Sequence, residues 1–286
     1  MFGMGEQSLP ELPDVSELSP RIVRLLGKNP GNFTLQGTNT YLLGTDQNRI
    51  LLDTGEGKPE YFELLKDYVT KNKITIESIV VTHWHFDHTG GVSQVLSLFP
   101  DAKIYKWKDS HDERWEWKSI GLQDGDIIQV LGATIKTIHT PGHASDHVCF
   151  LLEEENVLFC GDNVLGHGST VFEDLSSYLS SLQLMQSLPC QIFYPAHGNI
   201  ITEPLRKVQE YIDHRMQREV QVVALLKDGL GTAADIVEKL YTGYPEGVRA
   251  AAKRGVLQHL DKLEKEGRVE RGEEERWILR EERSLL

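Results

Sequence analysis

Short apolar runs separated by polar turns recur along most of the chain and predict a sheet-rich α/β fold. Runs at 21–26, 37–43, 49–53, 74–81, 103–106, 148–152, 157–160 and 191–194 have the length and the β-branched content of buried strands. Helical patterns, with apolar residues three and four positions apart, occupy 59–72, 174–188, 203–227 and 246–266. Two mixed sheets packed face to face, with helices outside, would bury these strands.

A cluster of polar residues follows the apolar run that ends at 81. The stretch 82–88 reads T-H-W-H-F-D-H and precedes Gly90-Gly91 and a helix-like run. His83 and His85 are two positions apart, so their rings point the same way in an extended segment, whereas the adjacent Asp87 and His88 leave the turn in different directions. The simplest interpretation is two imidazoles for one metal ion and a carboxylate plus an imidazole for a neighbouring ion. These ligands suit zinc, iron or manganese, whereas four cysteines would indicate a structural zinc site.

A polar loop without a metal is the alternative for this stretch. Three histidines and an aspartate beside a buried strand would each need a partner when desolvated, which disfavours that alternative.

The formal net charge of −13 is unevenly distributed. Residues 206–286 hold 16 basic and 16 acidic side chains, so residues 1–205 carry the whole imbalance. An acidic main domain does not attract nucleic acid by its overall field, although metal ions can reverse the field locally. No run approaches the length of a membrane-spanning helix, so we expect no membrane contact.

The cysteines and the first residues bear on the compartment. Cys149, Cys160 and Cys190 have no C-x-x-C spacing, and the first two lie in apolar runs, which favours a reducing, intracellular setting. The first twenty residues contain four acidic and no basic side chains. They have neither the apolar core of a secretion signal nor the basic character of a transit peptide.

The H-x-H-x-D-H spacing of residues 83–88 resembles the signature of the metallo-beta-lactamase superfamily. The resemblance implies three further ligands on turns after strands, and the chain has His143, Asp162 and His197 in the expected order. It implies two zinc ions per chain, the second sharing a bridging ligand with the first. The implied ligands are His83, His85 and His143 for one ion, Asp87, His88 and His197 for the other, and Asp162 as the bridge.

The same resemblance implies a four-layer αββα sandwich and hydrolysis by a hydroxide that two zinc ions activate. Asp87 and Asp162 are the expected catalytic carboxylates, and Asp53 is expected to hold a ligand histidine or a backbone turn. Ala196 stands where glycine is commonest in the motif, and its methyl group is tolerable unless the backbone there needs a positive φ.

Histidines outside the motif have weaker assignments. His147 is expected to support the site or to pack, and His139 to lie on a strand surface. His214, on the long helix, either approaches the site or caps a packing contact, and neither is favoured. No partner is predicted for the other three: His111, His167 and His259.

The chain changes character after residue 203. A long helix pattern to 227, a helix start at Thr232, a second helix over 246–266 and a hairpin from 268–270 and 276–279 resemble a winged-helix unit. The predicted domains are an extended lead-in at 1–19, a metallo-beta-lactamase domain at 20–205, and a helical linker with a winged-helix-like domain at 206–286.

The chain, with its winged-helix-like tail, resembles one branch of the superfamily. The stretches that carry this likeness are 34–41, 82–88, 140–143, 151–156, 170–175 and 260–267. It implies an endoribonuclease that hydrolyses phosphodiester bonds of single-stranded RNA in the mitochondrial matrix. Four tail cations are candidates for phosphate contacts, unless they form only a solvated helix face: Arg249, Lys253, Arg254 and Lys262. Trp107, Trp115 and Trp117 are candidates for base stacking, although tryptophans more often pack.

A glyoxalase II-like thioesterase, or another small-molecule metallohydrolase, is the alternative function. In that case the tail would serve as a lid or a dimer contact. The absence of a large insertion before Asp162 argues against nucleases with a second lobe. Salt dependence separates the two functions, because phosphate contacts weaken steeply with salt.

Overall fold

The first of two large sheets contains seven strands in chain order. The computed structural model describes residues 9–108 and 114–280. The strands are β1 Val15–Ser19, β2 Ile22–Leu26, β3 Asn39–Leu43, β4 Asn48–Leu52, β5 Thr75–Val81, β6 Lys103–Trp107 and β7 Ile120–Leu122. Neighbours are antiparallel from β1 to β4 and parallel from β4 to β7. The strand β1 lies within the segment predicted as an extended lead-in, and it forms the edge of the sheet.

The second sheet contains five strands in the order β12-β11-β10-β9-β8. These strands are β8 Ile127–Val130, β9 Ala133–His139, β10 Val148–Leu152, β11 Val157–Gly161 and β12 Ile192–Pro195. Only the pairing of β11 with β12 is parallel within this sheet. The predicted hairpin at 153–156 joins β10 to β11, with Phe150 opposite Phe159.

Helices cover the outer face of each sheet. They are α1 Pro59–Asn72, the one-turn α2 Phe86–Thr89, α3 Val92–Leu98, α4 Leu175–Ser187 and the long α5 Pro204–Lys227. One apolar cluster lies between the sheets, a second joins the first sheet to α1 and α3, and a third joins the second sheet to α4 and α5. Because both faces of each sheet are covered, the central strands read as continuous apolar runs rather than as alternating ones. The predicted αββα sandwich is confirmed.

The tail folds around its own apolar cluster. It comprises α6 Ala233–Leu240, α7 Glu246–Lys265 and the hairpin of β13 Val269–Arg271 with β14 Trp277–Leu279. Thr232 caps α6, since its side chain accepts a hydrogen bond from the backbone N–H of Asp235 at 3.1 Å. The helix α5 joins the two units, because Tyr211 belongs to the cluster of the second sheet and Val222 to that of the tail. Within the described part of the chain, no helix is long and apolar enough to cross a membrane.

Candidate metal centre

The turn between β5 and α2 brings the first two motif histidines together. His83 and His85 follow the last residue of β5, and His83 Nε2 lies 2.9 Å from His85 Nδ1. The predicted convergence of the two rings is therefore confirmed. Asp87 and His88 lie on the one-turn helix α2, which directs them to the other side of the turn.

His143 completes a group of three nitrogen atoms. It follows β9 on the turn Thr140-Pro141-Gly142, and its Nε2 lies 3.2 Å from His83 Nε2 and 3.1 Å from His85 Nδ1. A tetrahedral ion with zinc–nitrogen bonds of about 2.0–2.1 Å would hold such nitrogens about 3.3–3.4 Å apart. The three rings are therefore spaced as ligands of one ion would be.

A second group of donors lies beside the first. Asp87 Oδ2 is 3.2 Å from both His88 Nε2 and His197 Nε2. Asp162 stands between the groups, with Oδ1 3.2 Å from His197 Nε2 and Oδ2 3.6 Å from His143 Nε2. His88 Nε2 and Asp162 Oδ1 are buried and make no hydrogen bond, which is the state of atoms that face a cation. All seven predicted ligands meet in these two adjoining groups.

Asp53 holds both a ligand histidine and the turn that carries the motif. Its Oδ2 lies 2.8 Å from His88 Nδ1 and accepts from Thr82 Oγ1 at 2.9 Å, while its Oδ1 accepts from the backbone N–H of Thr82 at 2.8 Å. The carboxylate therefore places the proton of His88 on Nδ1 and leaves Nε2 free to bind a metal. The role predicted for Asp53 is confirmed.

Three supporting residues were not predicted from the sequence. Thr38 Oγ1 donates to Asp87 Oδ2 at 3.1 Å, and Asn39 Nδ2 donates to the carbonyls of Pro195 and Gly198 at 2.9 Å each, which holds the turn of His197. Thr170 Oγ1 lies 3.1 Å from His143 Nδ1. Thr38 and Asn39 lie within 34–41 and Thr170 lies within 170–175, two stretches that carry the family likeness, but their residue types also suit ordinary turns.

The rings of the first group are neutral at neutral pH. Burial and the neighbouring rings of His88 and His143 hold the pKa of His83 well below its usual value. Burial and the ring of His143 lower the pKa of His85 to about 4. Burial likewise lowers the pKa of His143, although Asp162 opposes this. Neutral rings offer lone pairs, so a metal ion can bind here without displacing protons.

The second group has the opposite electrostatics. Burial would lower the pKa of His88, but the carboxylates of Asp87, Asp53 and Asp162 outweigh it and raise this pKa well above 6.5. In the same way Asp162 outweighs burial at His197 and raises its pKa to about 9. Burial would raise the pKa of Asp162, yet His197 and His88 hold it below its usual value. The carboxylates thus attract positive charge, which a divalent ion supplies in place of protons.

An open cleft of about 400 Å³ leads from the solvent to the donors. Besides the donors, its walls contain residues of the loop at 32–35 and of the segment at 165–171. Phe33 and Val171 on these walls are 74 % and 55 % exposed, although both are large and apolar. His167 also lines the cleft, and no sequence pattern had predicted it there. Among the described residues that line the cleft there is no lysine or arginine.

The other singled-out residues divide between support and packing. His147 accepts a hydrogen bond at Nε2 from the backbone N–H of Asp162 at 3.1 Å, so it supports the turn and binds no ion. His139 stacks on Trp107, with ring centroids 3.8 Å apart. His214 is exposed on α5 and does not line the cleft. His111 lies outside the described residues, and Ala196 does not have a positive φ, so its methyl group is tolerated.

One candidate for RNA contact, Lys262, is not accessible for it, whereas contact of the tryptophans with RNA stays a prediction. Lys262 is buried, and its Nζ lies 2.7 Å from Glu219 Oε2, so this lysine belongs to an internal ion pair. Trp115 and Trp117 stack on each other at 5.2 Å and, like Trp107, do not line the cleft.

Comparison with known proteins identifies the family. A model of the metallo-beta-lactamase superfamily matches residues 33–197, which include all seven donors, and a model of the beta-lactamase associated winged helix domain matches residues 232–277. The chain belongs to the metallo-beta-lactamase superfamily. Members of this superfamily typically bind metal ions and hydrolyse their substrates, as the two donor groups of the present chain would allow.

The relatives of this metallo-beta-lactamase superfamily protein have several names. A "beta-lactamase-like protein 2 homolog" from Caenorhabditis elegans is 46% identical over 268 residues, which cover 92% of this chain and 90% of the relative. An "atrochrysone carboxyl ACP thioesterase" from Aspergillus chevalieri is 45% identical over 88% of this chain and 83% of its own length. A Burkholderia ambifaria beta-lactamase domain protein has the same fold, with a TM-score of 0.79, 19% identity and 96% of each chain covered.

Proposed function

We propose that this metallo-beta-lactamase superfamily protein is a dinuclear zinc hydrolase that cleaves phosphodiester bonds of single-stranded RNA. The observation that carries the proposal is the open cleft, which is lined by members of both donor groups and by the exposed ring of Phe33. A cleft of about 400 Å³ lies within the range of small-ligand sites, so it admits one unit of a flexible strand at a time. An A-form duplex is a rigid cylinder that does not enter such a cleft.

In this proposal the seven donors form two adjoining zinc sites. Two bound zinc ions would lower the pKa of a water molecule and stabilise the negative charge that develops on the phosphate. His83, His85 and His143 would hold one ion, and Asp87, His88 and His197 would hold the second. Asp162, which lies between the two groups, would supply negative charge to both ions, and Thr38 fixes the orientation of Asp87.

The walls of the cleft supply substrate contacts and a hydrogen-bond donor. An exposed aromatic ring beside a hydrolytic centre is suited to stacking on a base, which is sequence-tolerant because every base has a flat face. His167 also lines the cleft, where its ring N–H could serve as a hydrogen-bond donor to the leaving oxygen. On the tail, Arg249, Lys253 and Arg254 are exposed and available to the flanking strand.

Thioester hydrolysis is the second candidate. It is supported by the relatives named as thioesterases, by the absence of lysine and arginine among the described cleft residues, and by apolar side chains on the cleft walls. An acyl chain would lie against Phe33 and Val171 by apolar burial, without needing any phosphate contact. The same two donor groups serve either reaction, because both require an activated water.

The deciding experiment offers the zinc-loaded protein labelled RNA as a single strand and as a duplex of the same sequence, and separately an acyl thioester. We expect the single strand to be cut and the duplex to be cut poorly. Removal of zinc by a chelator, or the variant His85→Ala, should abolish the cutting. The variant Phe33→Ala should raise KM with little change in kcat, whereas Trp107→Phe, a change at an aromatic residue outside the cleft, should leave both unchanged.

Each of the opposite results has a definite meaning. Equal cutting of single strand and duplex contradicts the substrate proposal, and RNA cutting that survives His85→Ala shows a contaminating nuclease. Thioester hydrolysis without RNA cutting favours the second candidate. Metal analysis should find two zinc ions per chain in the wild type and one in Asp162→Ala, because the bridge would be lost.

We also propose a mitochondrial-matrix setting. All three cysteines are buried and unpaired, as suits a reducing intracellular compartment. Fractionation of cells that express the tagged full chain would test this, and a cytosolic pool alone would contradict it.

A further inference from the structure

The segment that connects β11 to α4 fixes the orientation of one metal-ligand ring. His143 Nδ1 lies 2.8 Å from the backbone carbonyl of Val171. A carbonyl oxygen only accepts hydrogen bonds, so Nδ1 carries the proton and Nε2 keeps the lone pair that faces His83 and His85. The position of the Val171 carbonyl therefore decides how well His143 can bind a metal ion.

Arg215 on α5 holds this segment from outside the metal centre. Its Nη2 donates to the carbonyl of Thr170 at 2.9 Å, and its guanidinium lies over the ring of Phe172, 4.8 Å from the centroid. These two contacts flank Val171 in the chain. Arg215 is only 8 % exposed, and no carboxylate of the described residues lies within ion-pair distance of it. Arg215 also forms a side-chain hydrogen bond with Tyr178, so a backbone carbonyl, an aromatic ring and a hydroxyl together hold the buried guanidinium. A buried charge without such partners would be unfavourable, so these contacts fix where the side chain lies.

The next turn of α5 is held by the winged-helix domain. Glu219, four residues after Arg215 on the same face of the helix, is 3 % exposed. Its Oε2 lies 2.7 Å from Lys262 Nζ, and its Oε1 lies 2.6 Å from Arg268 Nη1. Lys265 of α7 also pairs with Asp174, the residue that caps α4 at the end of the segment. The tail thus contacts both the helix that bears Arg215 and the end of the segment that Arg215 holds.

We propose that Arg215 is a positioning residue for the metal centre, acting through the Thr170-Val171 backbone on His143, and that the winged-helix domain sets its position through Glu219. The tail then has a role in metal binding although every predicted metal ligand lies before α5. The inference rests on the proposed function only in taking His143 as a ligand, and it holds for RNA and for a thioester alike.

The first test measures zinc affinity in Arg215→Met, which keeps an unbranched side chain and removes the donors. Competition with a chromophoric chelator should show one of the two zinc ions bound about ten- to a hundredfold more weakly, the loss expected when a residue that orients a ligand is removed. Arg215→Lys retains one donor and should recover part of the loss. The matched control is Arg218→Met, because Arg218 lies on the same helix but over the ring of Tyr241, at 4.7 Å.

A second readout does not depend on activity. The visible spectrum of the Co²⁺-loaded protein reports the geometry of the bound ion, and it should change in Arg215→Met and remain unchanged in Arg218→Met. Glu219→Gln should shift zinc affinity in the same direction. Combined with Arg215→Met, it should add little, because the two residues act along one path.

The outcomes separate the inference from the function on which it rests. The variant His143→Ala must lose a zinc ion, and if it keeps both with unchanged affinity, His143 is not a ligand and the proposed metal site is wrong. If His143→Ala loses the ion while Arg215→Met binds zinc like the wild type, the positioning role is rejected. If Arg215→Met does not fold, the same two measurements are made on Arg215→Lys. An unchanged zinc affinity and an unchanged Co²⁺ spectrum in Arg215→Lys reject the positioning role as well. Additive effects of Arg215→Met and Glu219→Gln reject the path through the tail.

Discussion

Replacement of Asp53 by asparagine tests how the support of His88 contributes to metal binding. Asp53 lies directly after β4 with φ of 57°, a left-handed conformation that asparagine tolerates well, so the backbone need not move. The carboxylate accepts three hydrogen bonds, from the N–H and Oγ1 of Thr82 and from His88 Nδ1. An amide has a single acceptor atom. The substituted side chain therefore cannot accept from both the Thr82 N–H and the His88 ring, whichever way it is turned.

The magnitude follows from the bond that is lost. A buried donor without a partner costs about 1–3 kcal/mol, and the bond to a carboxylate is the stronger, charge-assisted kind. If the amide oxygen accepts the hydrogen bond from the backbone N–H of Thr82, no acceptor remains for the Nδ1–H of His88. The His88 ring then loses the hydrogen bond that orients it. We expect zinc at the site of Asp87, His88 and His197 to bind about ten- to a hundredfold more weakly. The ion between His83, His85 and His143 should change little, since none of its ligands bonds to Asp53.

The assay is zinc titration against a chromophoric chelator, with metal analysis after dialysis and chemical denaturation of the metal-free protein. Asp126→Asn is the control, because it removes the same charge from an exposed turn where Asp126 accepts from the backbone N–H of Gln123. We expect one zinc ion to be lost first in Asp53→Asn and both to be kept in Asp126→Asn. Wild-type affinity at both sites in Asp53→Asn would falsify the argument that this carboxylate orients His88.

Three further predictions concern the turns and charges around the site. Gly142→Ala should destabilise the fold by about 3 kcal/mol or more, because φ of residue 142 is 129° and a Cβ there would lie 2.3 Å from the backbone of α4. A free energy of unfolding within about 1 kcal/mol of the wild-type value in chemical denaturation would contradict this. Lys106→Met should cost about 3–5 kcal/mol because it breaks the buried ion pair in which Lys106 Nζ lies 2.7 Å from Asp146 Oδ2, and Lys106→Met with Asp146→Leu should recover stability. The rings of His88 and His197 both have raised pKa values, that of His197 being about 9, and both must lose a proton to bind zinc, so affinity at their site should fall at least about tenfold for each pH unit below 9. The pKa of His85 is about 4, so zinc titrations between about pH 6 and pH 8 should show no such dependence for the other ion.

Several features of the site were readable from the sequence for physical reasons. Ligands that lie on turns after buried strands appear as polar residues behind apolar runs, and the runs themselves report burial on both faces of a sheet. The close spacing of His83, His85, Asp87 and His88 is local, so the chain geometry alone directs them to two adjoining groups. Likewise, capping residues such as Thr232 mark helix starts by their own chemistry.

Other residues carry no local signal of their role. Phe33 sits in a turn, and nothing in its neighbourhood distinguishes a cleft wall from ordinary surface. Lys262 lies among basic and acidic residues on a helix pattern that suits a solvated face, yet it is buried against Glu219, 43 positions earlier in the chain. The burial depends on where the tail packs on α5, which periodicity within α7 does not reveal.

The sequence by itself determined which segments form strands and helices, the order of the two units and the seven residues predicted as donors, because each of these depends on residue type and spacing within a short window. Only the tertiary structure decided which distant partners hold those donors. Thr38 reaches Asp87 across 49 positions, and the carbonyl of Val171 reaches His143 across 28. Such contacts depend on how the two sheets and α5 pack, and packing is a property of the whole chain rather than of any window along it.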